Sequence, residues 1–116
     1  MIMSVFVRRL REGATYEDFR AAWYPDKGFG VRARVLNGVG LADPRDILSI
    51  GFVDVAKESM GTALADVAAQ ERTRHDRIEA LLDGTAVRAM FELVDDQDFS
   101  AAPRPFAPTL GSGLLH

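Results

Sequence analysis

The chain has no cysteine. That excludes disulfides, thiolate nucleophiles, iron–sulfur clusters and cysteine-bound zinc. Histidine is nearly as scarce: there are 2, His75 and His116, too few for a multi-histidine metal site. No apolar run approaches the roughly 20 residues needed to span a bilayer. The start, Met1-Ile2-Met3-Ser4-Val5-Phe6-Val7-Arg8, places its apolar run before its charge. A secretory signal has the reverse order, so a cytoplasmic location is expected. Surplus positive charge is also missing. Lys+Arg number 14 against 17 Asp+Glu, a net charge of -3, whereas a general nucleic-acid binder usually carries the opposite sign. No Walker, G-x-S-x-G or zinc-hydrolase pattern occurs. Gly28-Phe29-Gly30-Val31-Arg32-Ala33 fits G-x-G-x-x-A in its letters. It precedes a strand, however, while a dinucleotide loop follows a strand and opens a helix. No cofactor and no metal is implied.

What remains is a chain of 116 residues, 47% hydrophobic and 27% charged, the balance of one globular domain with its own core. Residues 2–10 are rich in Val, Ile and Phe and read as a strand. Thr15-Tyr16-Glu17-Asp18 is a helix start, a capping hydroxyl followed three residues on by an acid. Pro25 is expected to stop that helix. Strands are expected at 31–37 and 46–55, joined across the turn formers Gly38, Gly40 and Asp43-Pro44. A long helix follows from about Glu58 to Asp83, with Gly84 at its C-terminus, then a fourth strand at 86–94. The domain is placed at 1–95. From 96 to 116 three prolines (Pro103, Pro105, Pro108) and Gly111-Ser112-Gly113 mark a tail. The order β-α-β-β-α-β predicts an α+β, ferredoxin-like sandwich: a four-stranded antiparallel sheet with two helices on one face.

Side chains alternate faces along a strand. One parity collects Val5, Val7, Ala33, Val35, Val87 and Ala89 and is assigned to the face under the helices. On the third strand the matching set contains Ser49 and Gly51, small enough to leave the helix-side layer thin. The other parity carries Phe6, Leu48, Ile50, Phe52 and Met90 among charged residues such as Arg8 and Arg34. So much apolar surface on an open sheet face points to an interface, and a homodimer through these residues is expected. The length, the element order, the long second helix and this apolar face resemble the dimeric α+β barrel proteins. Among them are the antibiotic-biosynthesis-type monooxygenases, the EthD-like proteins and their stress-responsive relatives. The resemblance covers residues 2–94 and is architectural. It implies two sheets packed face to face and, in each subunit, a small-molecule pocket between sheet and helices.

A second resemblance is local. Val5-Phe6-Val7-Arg8-Arg9-Leu10 and Gly51-Phe52-Val53-Asp54-Val55 are similar to the first- and third-strand motifs of RNA-recognition domains. Phe6 and Phe52 would be their base-stacking aromatics. Leu48, Ile50 and Arg9 depart from that pattern, and the net charge is negative.

The candidate chemistry lies on the long helix. Met60, Leu64, Val67, Ala68, Ile78 and Leu82 form an apolar stripe at about 100° per residue. Glu71 falls near its centre, His75 beside the centre and Arg74 on the shoulder. A carboxylate four residues before an imidazole orients the ring and favours its protonated form. The expected site therefore has His75 as acid/base and Glu71 as its orienter, with Tyr16, Trp23, Ser49 and Arg74 shaping a pocket for a small organic ligand. The expected function is homodimeric small-molecule binding, with cofactor-independent oxygenase- or isomerase-like chemistry as its enzymatic form. The alternatives are a non-catalytic assembly module acting through the open sheet face and, third, single-stranded RNA binding.

Overall fold

The computed structural model describes residues 1–23, 30–65 and 68–105. Its β-branched and aromatic first segment forms β1, Ile2–Leu10, at the expected boundaries. The helix start after it is a reciprocal cap. The Asp18 N–H donates to Thr15 Oγ1 at 3.2 Å, and the Thr15 N–H donates to Asp18 Oδ2 at 2.9 Å. Helix α1 follows over Tyr16–Trp23; its expected stop at Pro25 lies outside the described residues. Strand β2 is Ala33–Val39 and β3 is Asp46–Val53. β2 runs two residues later than expected because Gly38 and Val39 stay in the ladder, opposite Leu48 and Ile47. A single 3-10 turn, Lys57–Ser59, leads into α2, Met60–Ala65, and α3 spans Ala68–Glu79. The expected stripe member Val67 falls outside the described residues.

The long helix ends earlier than the sequence suggests. The Leu81 N–H closes a turn on the Ile78 carbonyl at 2.8 Å, and β4 begins at once, over Leu82–Glu92. Gly84 is therefore not a helix cap but a strand residue opposite Arg9. Leu82 pairs with Leu10 and packs against the core, so burying it in the sheet wins over another helical turn. The tail also carries a little order: Gln97–Asp98 (β5) pairs with Arg104–Pro105 (β6), and Arg104 donates to Asp98 Oδ2 at 3.0 Å.

The sheet order is β2-β3-β1-β4 with every neighbour antiparallel. β1 thus runs parallel to β2 with β3 between them, and β3 runs parallel to β4 with β1 between them. Each β-α-β unit is split by one strand. The architecture is α+β: an open four-stranded antiparallel sheet with three helices, compatible with the expected ferredoxin-like sandwich. The core gathers at one end, where Leu10, Phe19, Ile47 and Ile78 are fully buried and Tyr16, Ala22, Trp23, Leu81 and Leu82 close round them.

The two faces differ from the expected assignment on β1 and β4. Residues paired directly across an antiparallel ladder share a face, and Phe6 pairs with Ser49 on one side and Arg88 on the other. The Phe6 ring lies 5.7 Å from that of His75 on α3. Phe6, Arg8 and Met90 therefore lie on the helix side, while Val5, Val7, Val87 and Ala89 are on the open face with Leu36, Leu48 and Ile50. Phe52 shares the open face, yet it is only 5% exposed.

Core and cap are separable by mutation. Phe19→Ala should cost about 3–5 kcal/mol, and Thr15→Ala about 1 kcal/mol. Urea titration of both variants checks this; a Phe19 loss no larger than the Thr15 loss would place the core elsewhere.

Candidate functional site

Away from that core the space between sheet and helices is not filled. The small residues expected to thin this layer do so. Ser49 and Gly51 of β3, with Ser4 of β1 and Val35 of β2, floor a cavity of about 110 Å3. A Cβ built on Gly51 would stand 2.5 Å from Ser4 Oγ, so glycine keeps the floor low. The Ser49 hydroxyl donates to Asn37 Oδ1 at 2.6 Å. Met60 and Leu64 of α2, Trp23 of α1 and Glu71 and Arg74 of α3 form the roof. Glu71, Arg74, His75 and Ile78 recur at helical spacing on the inward side of α3, between the exposed Arg72, Thr73, Asp76 and Arg77.

Three of these side chains form one charge cluster. Arg74 Nη2 donates to Glu71 Oε2 at 2.5 Å, and His75 Nε2 lies 3.4 Å from the same oxygen. The Arg74 guanidinium also sits 5.4 Å from the Trp23 ring centroid. Burial alone would push the Glu71 carboxyl up; the hydrogen bond from His75 and the charge and hydrogen bond of Arg74 outweigh it and hold the group below its usual range. Its second oxygen, Oε1, is buried without a partner among the described residues.

The residue that sequence reasoning missed is Arg8. Taken there as an open-face residue, it borders the cavity and is 4% exposed. Its guanidinium carbon lies 4.1 Å from the Phe6 ring centroid and 5.7 Å from that of Phe19. Among the described residues no carboxylate comes within ion-pair distance of it, and its Nη1 is buried without a partner. Burial, and then the charges of Arg74 and Arg88, push its pKa down to about 10 against the opposing pull of Glu79 and Glu71. It is still a cation at neutral pH. The signal for it was present: a charged residue two positions before Leu10, on the parity that closes the core. It went unread because both parities of β1 are apolar.

Of the expected site residues, Trp23, Ser49, Glu71 and Arg74 meet at the cavity. His75 stands behind Glu71, against Phe6. Tyr16 is elsewhere: it packs on Phe19, ring centroids 6.1 Å apart, at the edge of the apolar core. A wider depression of about 1040 Å3 between α1 and the end of α3 is open surface and buries no charged group. In the acidic run after β4, Asp95 accepts from Gln97, and Asp98 accepts from the Ser100 N–H and from Arg104. Among the described residues no group of three or more His, Asp or Glu is placed to hold a metal, and no helix is long and apolar enough to cross a membrane. Comparison of the chain with family models, curated proteins and solved structures gives no match in any of the three.

The Glu71 cluster makes acid stability testable. A carboxyl whose folded pKa is lowered stabilises fully above its unfolded value of about 4.3 and loses that contribution as pH falls through the lower folded value. Glu71→Gln should cost about 1–3 kcal/mol at pH 7 by leaving buried Arg74 a neutral partner. The wild type and the variant should then converge as the pH falls toward 3. Denaturant midpoints at the two pH values check both statements, and a constant gap would remove Glu71 from the acid limb.

Proposed function

We propose that this is a small-molecule-binding protein of ferredoxin-like, dimeric-barrel type, its ligand held between sheet and helices. The observation that carries the reading is the cavity itself, floored by Ser49 and Gly51 and walled by buried charge at Arg8, Glu71 and Arg74. Apolar residues there would pack better, and charge buried beside empty space costs stability unless a bound group uses it. The size limits the ligand. An engineered apolar cavity of about 150 Å3 takes one benzene, so about 110 Å3 limits the ligand to at most roughly six heavy atoms. The strand order, with each β-α-β unit split by one strand, supports the ferredoxin-like assignment.

The same geometry supports binding more directly than proton transfer. An effective general base has a pKa near the working pH, whereas Glu71 is held low and its Oε2 is committed to Arg74 and His75. His75 would act on a ligand only through Glu71. RNA binding is supported least, since Phe6 lies under α3 and Phe52 is buried, leaving neither ring open for stacking.

The pocket reading is tested with a set of neutral and charged compounds of about four to six heavy atoms, the size the cavity admits, followed by amide shifts of Ser49 and Gly51. Compounds that bind should lose their effect in Gly51→Val, which fills the floor. Shifts that persist in that variant place binding elsewhere and overturn the reading.

The dimer rests on the open face as the register defines it: Val5, Val7, Leu36, Leu48, Ile50 and Phe91, of which Leu36 and Leu48 are each 39% and Phe91 51% exposed. Phe6 and Met90 leave the expected interface because they lie on the helix side. Light scattering should give twice the chain mass. Leu48→Asp should halve it by placing an unpaired carboxylate in an apolar interface. A wild-type monomer at micromolar concentration would sink the dimer.

A further inference from the structure

We infer that the ligand of this cavity is a small organic carboxylate, its oxyanion bound by the Arg8 guanidinium and its few carbons lying against the apolar floor; the inference rests on the pocket reading above. Three observations converge on it. Arg8 is 4% exposed and borders the cavity, and its Nη1 is buried without a partner among the described residues. A guanidinium removed from water without an anion is costly, and the rings of Phe6 and Phe19 meet only its face.

 

The two rings, Phe6 and Phe19, offer π-faces at 4.1 and 5.7 Å and leave the in-plane N–H donors to be met by something else. Second, the charges round the cavity do not balance. Among the described residues that line it, two arginines, Arg8 and Arg74, stand against one carboxylate, Glu71, and Arg74 already holds Glu71. Among those residues one negative charge is missing, and a carboxylate supplies one. Third, the remaining wall is mostly carbon. Val35, Val53, Met60 and Leu64 would be left facing an inorganic anion's water shell, whereas a short alkyl body covers them. A planar carboxylate also matches the guanidinium fork in geometry.

The test uses two probes of one shape. Isobutyrate and isobutyramide have the same heavy-atom skeleton and differ in charge. Each is titrated into the full chain at pH 7, followed by the amides of Ser49 and Gly51 and the Trp23 indole N–H. Isobutyrate should bind at least about tenfold more tightly, the ratio expected for a charge-assisted hydrogen bond against a neutral one. Arg8→Met should bring the two probes within about twofold of each other, and Arg8→Lys should keep most of the preference. Arg8→Met should also melt no lower than the wild type, since an apolar side chain of similar length replaces a buried, uncompensated charge. If that variant does not fold, the wild-type ratio and Arg8→Lys still decide. Equal binding of both probes to the wild type overturns the carboxylate assignment and leaves the pocket reading standing. Failure of both probes while other neutral compounds shift Ser49 and Gly51 does the same. Failure of every compound overturns both readings together.

Discussion

The Arg8 guanidinium occupies the middle of the layer between sheet and helices, and the packing on either side is arranged about it. Toward one end, Leu10, Phe19, Ile47 and Ile78 close into a fully buried apolar core. Toward the other, the sheet carries Ser4, Ser49 and Gly51, and the layer opens into a cavity. Phe6 and Phe19 are shared between the two halves: each offers a ring face to the cation. Phe19 belongs to the core, and Phe6 reaches on to His75. A buried charge can be tolerated here because aromatic faces, and not aliphatic carbon alone, meet it. The tolerance is partial, since the in-plane donor Nη1 stays unmatched.

Charge on α3 follows from the same centre. Glu71 is attached to α3 neighbours, Arg74 and His75, and not to Arg8. An i,i+3 and i,i+4 pairing on one helix is short-range and forms with the helix itself. Arg8 arrives from β1, brought there by long-range strand pairing, and finds the nearby carboxylate already engaged. The sheet therefore presents a cation with no ion-pair partner among the described residues to a helix whose inward charges Glu71, Arg74 and His75 are turned toward one another. That division between paired charge on the helix and a cation brought in by the strand is what gives the cavity a polarity.

Much of this was legible in local sequence. The limits of β1 and the Thr15–Asp18 cap depend on contacts a few residues apart. The inward set Glu71, Arg74, His75 and Ile78 follows from helical spacing, and the thin layer at Ser49 and Gly51 follows from side-chain size. The facing of β1 was not legible. Val5 and Val7 on one parity and Phe6 and Leu10 on the other are both apolar, so alternation does not choose between them, and a one-residue difference inverts every assignment. Irregularities in the β1–β4 ladder between Val7 and Arg8 and between Arg9 and Leu10 further break simple counting on β4. The end of α3 was misread for a related reason: Gly84 looks like helix punctuation, but the pairing of Leu82 with Leu10 is a long-range contact that local sequence does not contain.

The inverted facing links the two surfaces of the sheet. An antiparallel sheet with one covered face ordinarily hides its apolar parity under the helices and shows its polar parity to water. In β1 both sides are mixed: the helix side carries Ile2, Phe6 and Leu10 with Ser4 and Arg8, and the open side carries Met3, Val5 and Val7 with Arg9. Hydrophobic burial therefore does not by itself choose between the two facings, and the half-buried Val5 and Val7 forgo part of the roughly 1.5–3 kcal/mol that full burial of each would give. Particular contacts then decide the facing. Within the chain, Leu10 weighs on it, since its parity must meet Phe19, Ile47 and Ile78. Beyond the chain, a cover over Val5, Leu48 and Ile50 would recover the exposed apolar area, and an anion beside Arg8 would recover the buried charge. Both act in the same direction, because one register sets both faces. The proposed interface and the proposed ligand are in this sense a single consequence of how β1 is turned.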